Sequence, residues 1–116
     1  MKFMVLLYGD PRLEPQPGSP EFDPWMNGFF TQEARTKDYA TVLSGEGLDG
    51  VQTATTISKR AGKRLVKDGP FAETRELLGG YYVIEAADLD AAIRFAEASP
   101  AAETGSVEIR PVTIYE

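Results

Sequence analysis

Phe3-Met4-Val5-Leu6-Leu7-Tyr8 is an unbroken apolar run that stops at Gly9-Asp10-Pro11, a turn-forming triplet. Six residues suit a strand and are too few for a membrane span. Side chains alternate across a strand, so Phe3, Val5 and Leu7 lie on one face and Met4, Leu6 and Tyr8 on the other. Both faces are apolar, and both need cover. Any fold built on this strand must put helices on one side of its sheet and something else on the other.

Outward from that strand, Pro11 to Pro20 holds four prolines and a glycine and reads as loop. A helix follows, with Asp23 as N-cap and Pro24 at its first position. Phe22, Trp25, Met26, Phe29 and Phe30 form an apolar stripe at helical spacing, which reads as core or dimer contact rather than as a cofactor box. After a polar stretch from Thr31 to Asp38, Tyr39, Ala40 and Leu43 resume the stripe, and Gly45 and Gly47 end the helix. Val51 to Ile57 reads as a strand, Arg60-Ala61-Gly62 as a hairpin turn, and Arg64 to Lys67 as the returning strand. Asp68-Gly69-Pro70-Phe71 breaks that strand, and Ala72 to Leu77 fits one short helical turn. Gly80 to Glu85 is the next strand, with Tyr81 and Val83 on one side and Tyr82 and Ile84 on the other. Asp88 caps a second helix whose apolar face is Leu89, Ala92, Ile93 and Ala96, and Pro100 stops it. Val107 to Ile114 closes the chain, with Val107 and Ile109 facing inward and Glu108 and Arg110 outward.

The order is β-α-β-β-β-α-β. With one hairpin strand taken as an insertion it becomes the split βαβ pattern, a ferredoxin-like α+β plait in one domain spanning residues 1–116. Helices then cover one sheet face. The other carries Met4, Leu6 and Tyr8 or their opposite set, and a two-fold partner is the economical cover. A homodimer built through the sheet is expected.

Composition sets limits on chemistry. Twelve Lys and Arg stand against 18 Asp and Glu, a formal charge of −6. That balance argues against nucleic acid as a partner, since phosphate contacts need clustered cations. The exception is Lys59-Arg60 with Lys63-Arg64, which reads as a solvated hairpin tip. The chain has no Cys and no His. Thiolate chemistry, disulfides and the commonest metal ligands are absent, so acid–base work falls to Asp, Glu, Tyr or Lys. No cofactor or metal is expected. The N-terminal run lacks a signal-peptide pattern, and a cytoplasmic, membrane-free protein is expected.

The stretch Asp68-Gly69-Pro70-Phe71-Ala72-Glu73-Thr74-Arg75-Glu76-Leu77-Leu78-Gly79-Gly80-Tyr81-Tyr82 resembles the signature of the DGPF branch of the YCII-related family. Ser44-Gly45-Glu46-Gly47-Leu48, Ala54-Thr55-Thr56 and Gly105 to Val112 resemble other parts of that family, so the likeness spans nearly the whole chain. It implies a fold of the dimeric α/β-barrel type with a cleft between sheet and helix near the dimer interface. Some members of the wider group place a His and an Asp together, an arrangement tied to enzymatic activity. This chain has no His, so that pair does not carry over. DGPF-type domains are also associated with extracytoplasmic-function sigma factors, which implies a possible sigma-factor partner.

Six residues stand out as site candidates. Asp68 and Glu46 sit at glycine-flanked bends where a carboxylate either bonds its own turn or points into a cleft as a general base. Tyr81, at the start of a strand, offers a hydroxyl for the same chemistry. Arg75, Glu73 and Tyr82 are candidate ligand-binding groups; Glu73 and Glu76 also share a face if the segment is helical, and there the plain reading is a solvated surface. Two functions stay open. One is a metal-free acid–base enzyme of isomerase or lyase type acting on a small molecule. The other is a non-catalytic binding or regulatory domain.

Overall fold

The computed structural model describes residues 1–72 and 74–115. Strand β1 (Lys2–Gly9) is followed by the proline loop and two helices, α1 (Phe22–Phe30) and α2 (Gln32–Arg35). Strand β2 (Ala40–Gly47) leads through a 3-10 turn (Val51–Thr53) to strands β3 (Thr55–Arg60) and β4 (Lys63–Asp68). Strand β5 (Leu77–Ala86), helices α3 (Leu89–Glu97) and α4 (Ala101–Thr104), and strand β6 (Gly105–Pro111) complete the chain. The main sheet has four strands in the order β2-β5-β1-β6, and every pair is antiparallel. This is the ferredoxin-like α+β plait. The sheet is open, with no closed barrel within one chain. No helix among the described residues is long and apolar enough to cross a membrane.

The apolar run at residues 3–8 is the central strand β1, flanked on both sides. Its inner face, Phe3 and Val5, is fully buried with Ile84, Ala92 and Phe95, and Leu7, Tyr82, Val107 and Ile109 pack against that core. Register puts Leu6 beside Tyr81 and Met4 beside Val83 on the opposite face. No helix among the described residues covers this side. Asp88 caps α3 as its position predicts: its Oδ1 accepts from the Ala91 N–H at 2.9 Å, a contact worth about 1 kcal/mol.

Several element assignments differ from the sequence reading. Tyr39 to Leu43 does not extend the first helix. Thr36 ends it, its backbone N–H and hydroxyl both bonded to the Gln32 carbonyl, and the chain enters β2 at Ala40. A bulge between Val42 and Ser44 breaks the strand's alternation there, which is why residues 39–43 mimic a helical stripe. The second strand of the plait is therefore β2, and the insertion is the whole β3–β4 hairpin. Thr74 to Glu76 forms a non-helical bend, and Leu77 already opens β5. In α3 the buried face is Ala92, Phe95 and Ala96. Leu89 and Ile93, expected in the core, are exposed.

The hairpin stands apart from the body. Its two strands form their own sheet, and all six residues of β4 are exposed. Ala61 and Gly62 both take positive φ at its tip, 51° and 78°, as a two-residue hairpin turn requires. The radius of gyration is 16.1 Å, against about 13 Å for a compact domain of this length.

The core assignment is testable by chemical denaturation. Phe95→Ala should cost about 3–5 kcal/mol by emptying the space between α3 and the sheet. Ile93→Ala, on the same helix but exposed, should cost about 0.5 kcal/mol. Equal losses would contradict the placement of Phe95.

Candidate active site

Helix α1 has no fully buried residue. Trp25, Met26 and Phe29 are half-buried because they hang over a gap rather than onto the sheet. The gap is a cavity of about 590 Å³, the size of a small-molecule site. Its walls come from α1, from Leu7 to Gly9 of β1, from the β2 end at Gly45 to Gly47, and from Leu77 to Tyr82 of β5. The aromatic stripe is thus a cavity wall rather than solid core. Trp25 and Phe29 meet edge-on at 5.1 Å between centroids. The Trp25 indole N–H is buried without a hydrogen-bond partner.

The end of β1 builds the polar side. Asp10 is 3% exposed, and its carboxylate is fully engaged by Arg12. The Arg12 backbone N–H and Nε donate to Oδ1, each at 3.0 Å, and Nη2 donates to Oδ2 at 2.7 Å. The Asp10 carbonyl accepts from the N–H groups of Leu13 and Glu14, and its own N–H donates to the Thr104 carbonyl. One residue therefore ties β1, the proline loop and α4 together. Hydrogen bonds from the Arg12 side chain and backbone, with help from the Arg75 charge, lower the Asp10 carboxyl to about 2.

That anchored turn carries Glu14 into the cavity wall. Glu14 packs its carboxyl on Gly9, where a Cβ would lie 3.0 Å from Oε2. Burial, and then the negative charge of Asp10, push its pKa above the ordinary glutamate value. A half-buried carboxyl raised by desolvation in an apolar cleft makes Glu14 a candidate proton-transfer group. Sequence reading missed both Asp10 and Glu14. Asp10 lies in a Gly-Asp-Pro turn and Glu14 in a proline loop, and neither local pattern announces burial.

The sequence candidates divide among three places. Glu46 and Tyr81 are register partners on β2 and β5 and ring the cavity. They share the sheet face with Leu6, the side away from the helices. Tyr82 also rings the cavity but turns to the helix side, edge-on to Phe95 at 5.2 Å. Burial, and then the Glu33 charge, raise its pKa, so its hydroxyl stays protonated as a donor. Gly45 admits that ring, since a Cβ there would come 2.7 Å from the Tyr82 Cδ1. Asp68 is at the exposed end of β4, opposite Thr55, and does not line the cavity. Arg75 is exposed and near enough for its charge to act on Asp10. Glu73 lies outside the described residues.

The YCII-related domain family matches residues 1–115. This chain belongs to the YCII-related family. An uncharacterised protein of Rhizobium meliloti (strain 1021) is 33% identical over 120 residues, covering all of this chain and 95% of its own length. Among solved structures, the chain is similar to the 5-chloro-2-hydroxyhydroquinone dehydrochlorinase of Burkholderia phenoliruptrix AC1100, determined with 2,5-dihydroxybenzoquinone. That likeness has a TM-score of 0.51 at 14% identity and covers 97% of this chain and 94% of that one. At this identity the likeness is one of fold.

The Asp10 anchor makes a pH prediction. Its folded-state value lies below the unfolded one near 3.8, so its contribution to stability is full above that value and disappears as pH falls toward 2. Thermal melts of wild type and Asp10→Asn should differ clearly at pH 6, with the gap closing between pH 4 and 2. A gap that stays constant to pH 2 would mean that the Asp10 charge does not hold the turn.

Proposed function

We propose that this YCII-related protein is a cytoplasmic homodimeric enzyme that moves a proton on a small molecule held between α1 and the sheet. The reaction is an elimination or isomerisation next to a hydroxyl or carbonyl group. Glu14 is the general base, and the Tyr82 hydroxyl and Trp25 indole N–H hold oxygen atoms of the substrate. The observation that carries this reading is the raised Glu14 carboxyl in the wall of an apolar cavity. Glu46 and Tyr81 reach the rim from the sheet face away from the helices, so in this reading they neither hold the substrate nor move its proton.

The chain's composition supports a mechanism of this kind. Without Cys or His, carboxylate and phenol are its available proton carriers at the cavity. The fold neighbour is a dehydrochlorinase of a hydroxyhydroquinone, a lyase-type reaction on a small ring. The carboxylates Glu14, Glu46 and Asp49 around an aromatic wall disfavour anionic ligands, so the substrate expected here is neutral, ring-sized and hydroxylated. The homodimer is supported by the outer sheet face, where Met4, Leu6, Tyr8, Tyr81 and Val83 lie together with no helix above them. No observation favours a sigma-factor partner over this enzyme reading.

Hydroquinone and its hydroxylated and chlorinated derivatives are suitable probes. Added to isotope-labelled protein, they should shift the amide signals of Gly45 to Gly47 and Gly79 to Tyr82. Exchange of probe hydrogen with D₂O, or chloride release from the chlorinated member, should fall by about 10²–10⁴-fold in Glu14→Gln with the fold unchanged. Probe signals that leave the cavity residues unmoved, or a Glu14→Gln variant as active as wild type, would overturn the reading.

A further inference from the structure

The β3–β4 hairpin needs a partner. An isolated two-stranded hairpin is at best marginally stable in water, and among the described residues this one pairs with no further strand. It also exposes apolar side chains: Ile57 at 64%, Leu65 at 57% and Val66 at 51%. Ile57 and Val66 are register partners, and so are Lys59 and Arg64. Alternation puts the two pairs on one face, so the arm presents an apolar pair next to a cationic one.

Charge is distributed very unevenly along the chain. Residues 55–68 hold five basic residues and one acidic, a formal +4. The rest holds seven basic and 17 acidic, a formal −10. The arm is therefore complementary to the body of its own molecule. The rim of the cavity has the matching chemistry. Glu46 and Asp49 are exposed there, beside the exposed apolar side chains of Phe30, Leu48 and Leu78 at 76%, 49% and 38%. Within one chain the arm extends away from the body, and β4 is exposed along its whole length.

We propose that the hairpin is an exchange arm: in the homodimer each arm lays Ile57, Val66, Lys59 and Arg64 across the acidic, apolar cavity rim of the second copy, near Glu46 and Asp49. The two contacts are related by the two-fold axis, so the exchange closes and does not grow into chains. Each active site is then completed by its partner, whose arm shields the mouth from water and sets a cation beside the rim carboxylates. A second copy is favoured over nucleic acid because a chain of net charge −6 repels a polyanion.

This inference rests on the homodimer proposed above, and the experiment separates the two. The chain has no cysteine, so Lys63→Cys takes a single nitroxide label on the arm, on the opposite face from Ile57 and Val66. Labelled, isotope-free protein is mixed with unlabelled, ¹⁵N-enriched wild type, so that any broadening is between copies. The amides of Glu46 to Asp49 should lose most of their intensity, recover it when ascorbate reduces the nitroxide, and keep it when the labelled chain also carries Ile57→Asp and Val66→Asp. Sedimentation of wild type and of Leu6→Glu is run alongside. If wild type is a dimer that Leu6→Glu dissociates but no broadening reaches the rim, the arm proposal fails and the sheet-face dimer stands. If wild type is a folded monomer at 100 µM, both fail. Fluorescence anisotropy with labelled duplex DNA and single-stranded RNA should show no binding near physiological salt; micromolar binding lost on Lys59→Glu with Arg64→Glu would also overturn the proposal.

Discussion

The buried carboxylate of Asp10 governs the geometry of the site. A charge taken out of water is tolerated only where it is paired and hydrogen-bonded. Here Arg12 supplies three N–H donors, two from the side chain and one from the backbone, all within two residues of chain. Satisfying Asp10 forces the loop after β1 to turn tightly, and the Asp10 carbonyl then caps the N–H groups of Leu13 and Glu14. The bond from the Asp10 N–H to Thr104 joins that turn to α4. Glu14 reaches the cavity because this turn places it there. Burial in the cavity wall is the larger cause of the raised Glu14 pKa, and the same charge that fixes the loop adds to it.

The rest of the cavity follows from the plait. At the cavity end of the sheet, Gly45, Gly47, Gly79 and Gly80 of β2 and β5 present no side chains to fill the space beneath α1. Aromatic residues on α1 wall that space without filling it. The sheet's other face is apolar at its centre and lined at its margins with Glu46, Glu85 and Glu108, while the hairpin gathers cations far from the body. A monomer leaves all of these surfaces wet. Pairing two copies would cover the apolar face and neutralise the segregated charges together.

Much of the fold was legible in the sequence, and the reasons differ between elements. β1 was plain because a doubly apolar six-residue run has few alternatives. The α3 cap and the Ala61-Gly62 turn were plain because they rest on local chemistry. β2 was misread because the bulge at Leu43 breaks the period-2 signal and leaves a helical one. The site was least legible. Asp68-Gly69-Pro70 and Gly9-Asp10-Pro11 are similar as sequence, each an Asp at a Gly/Pro turn. The first is exposed on the arm, and the second is buried against α4. Only long-range packing separates them, and Glu14 depends on the second. Tyr82 and Glu46, read from the strand and the glycine bend, do ring the cavity.

A carboxyl-carbon NMR titration of the full protein reads directly how the surroundings tune Glu14. Its midpoint should lie above the ordinary 4.5 and move down when Asp10→Asn removes the neighbouring charge. A midpoint at or below 4.5, unchanged in that variant, would contradict that tuning.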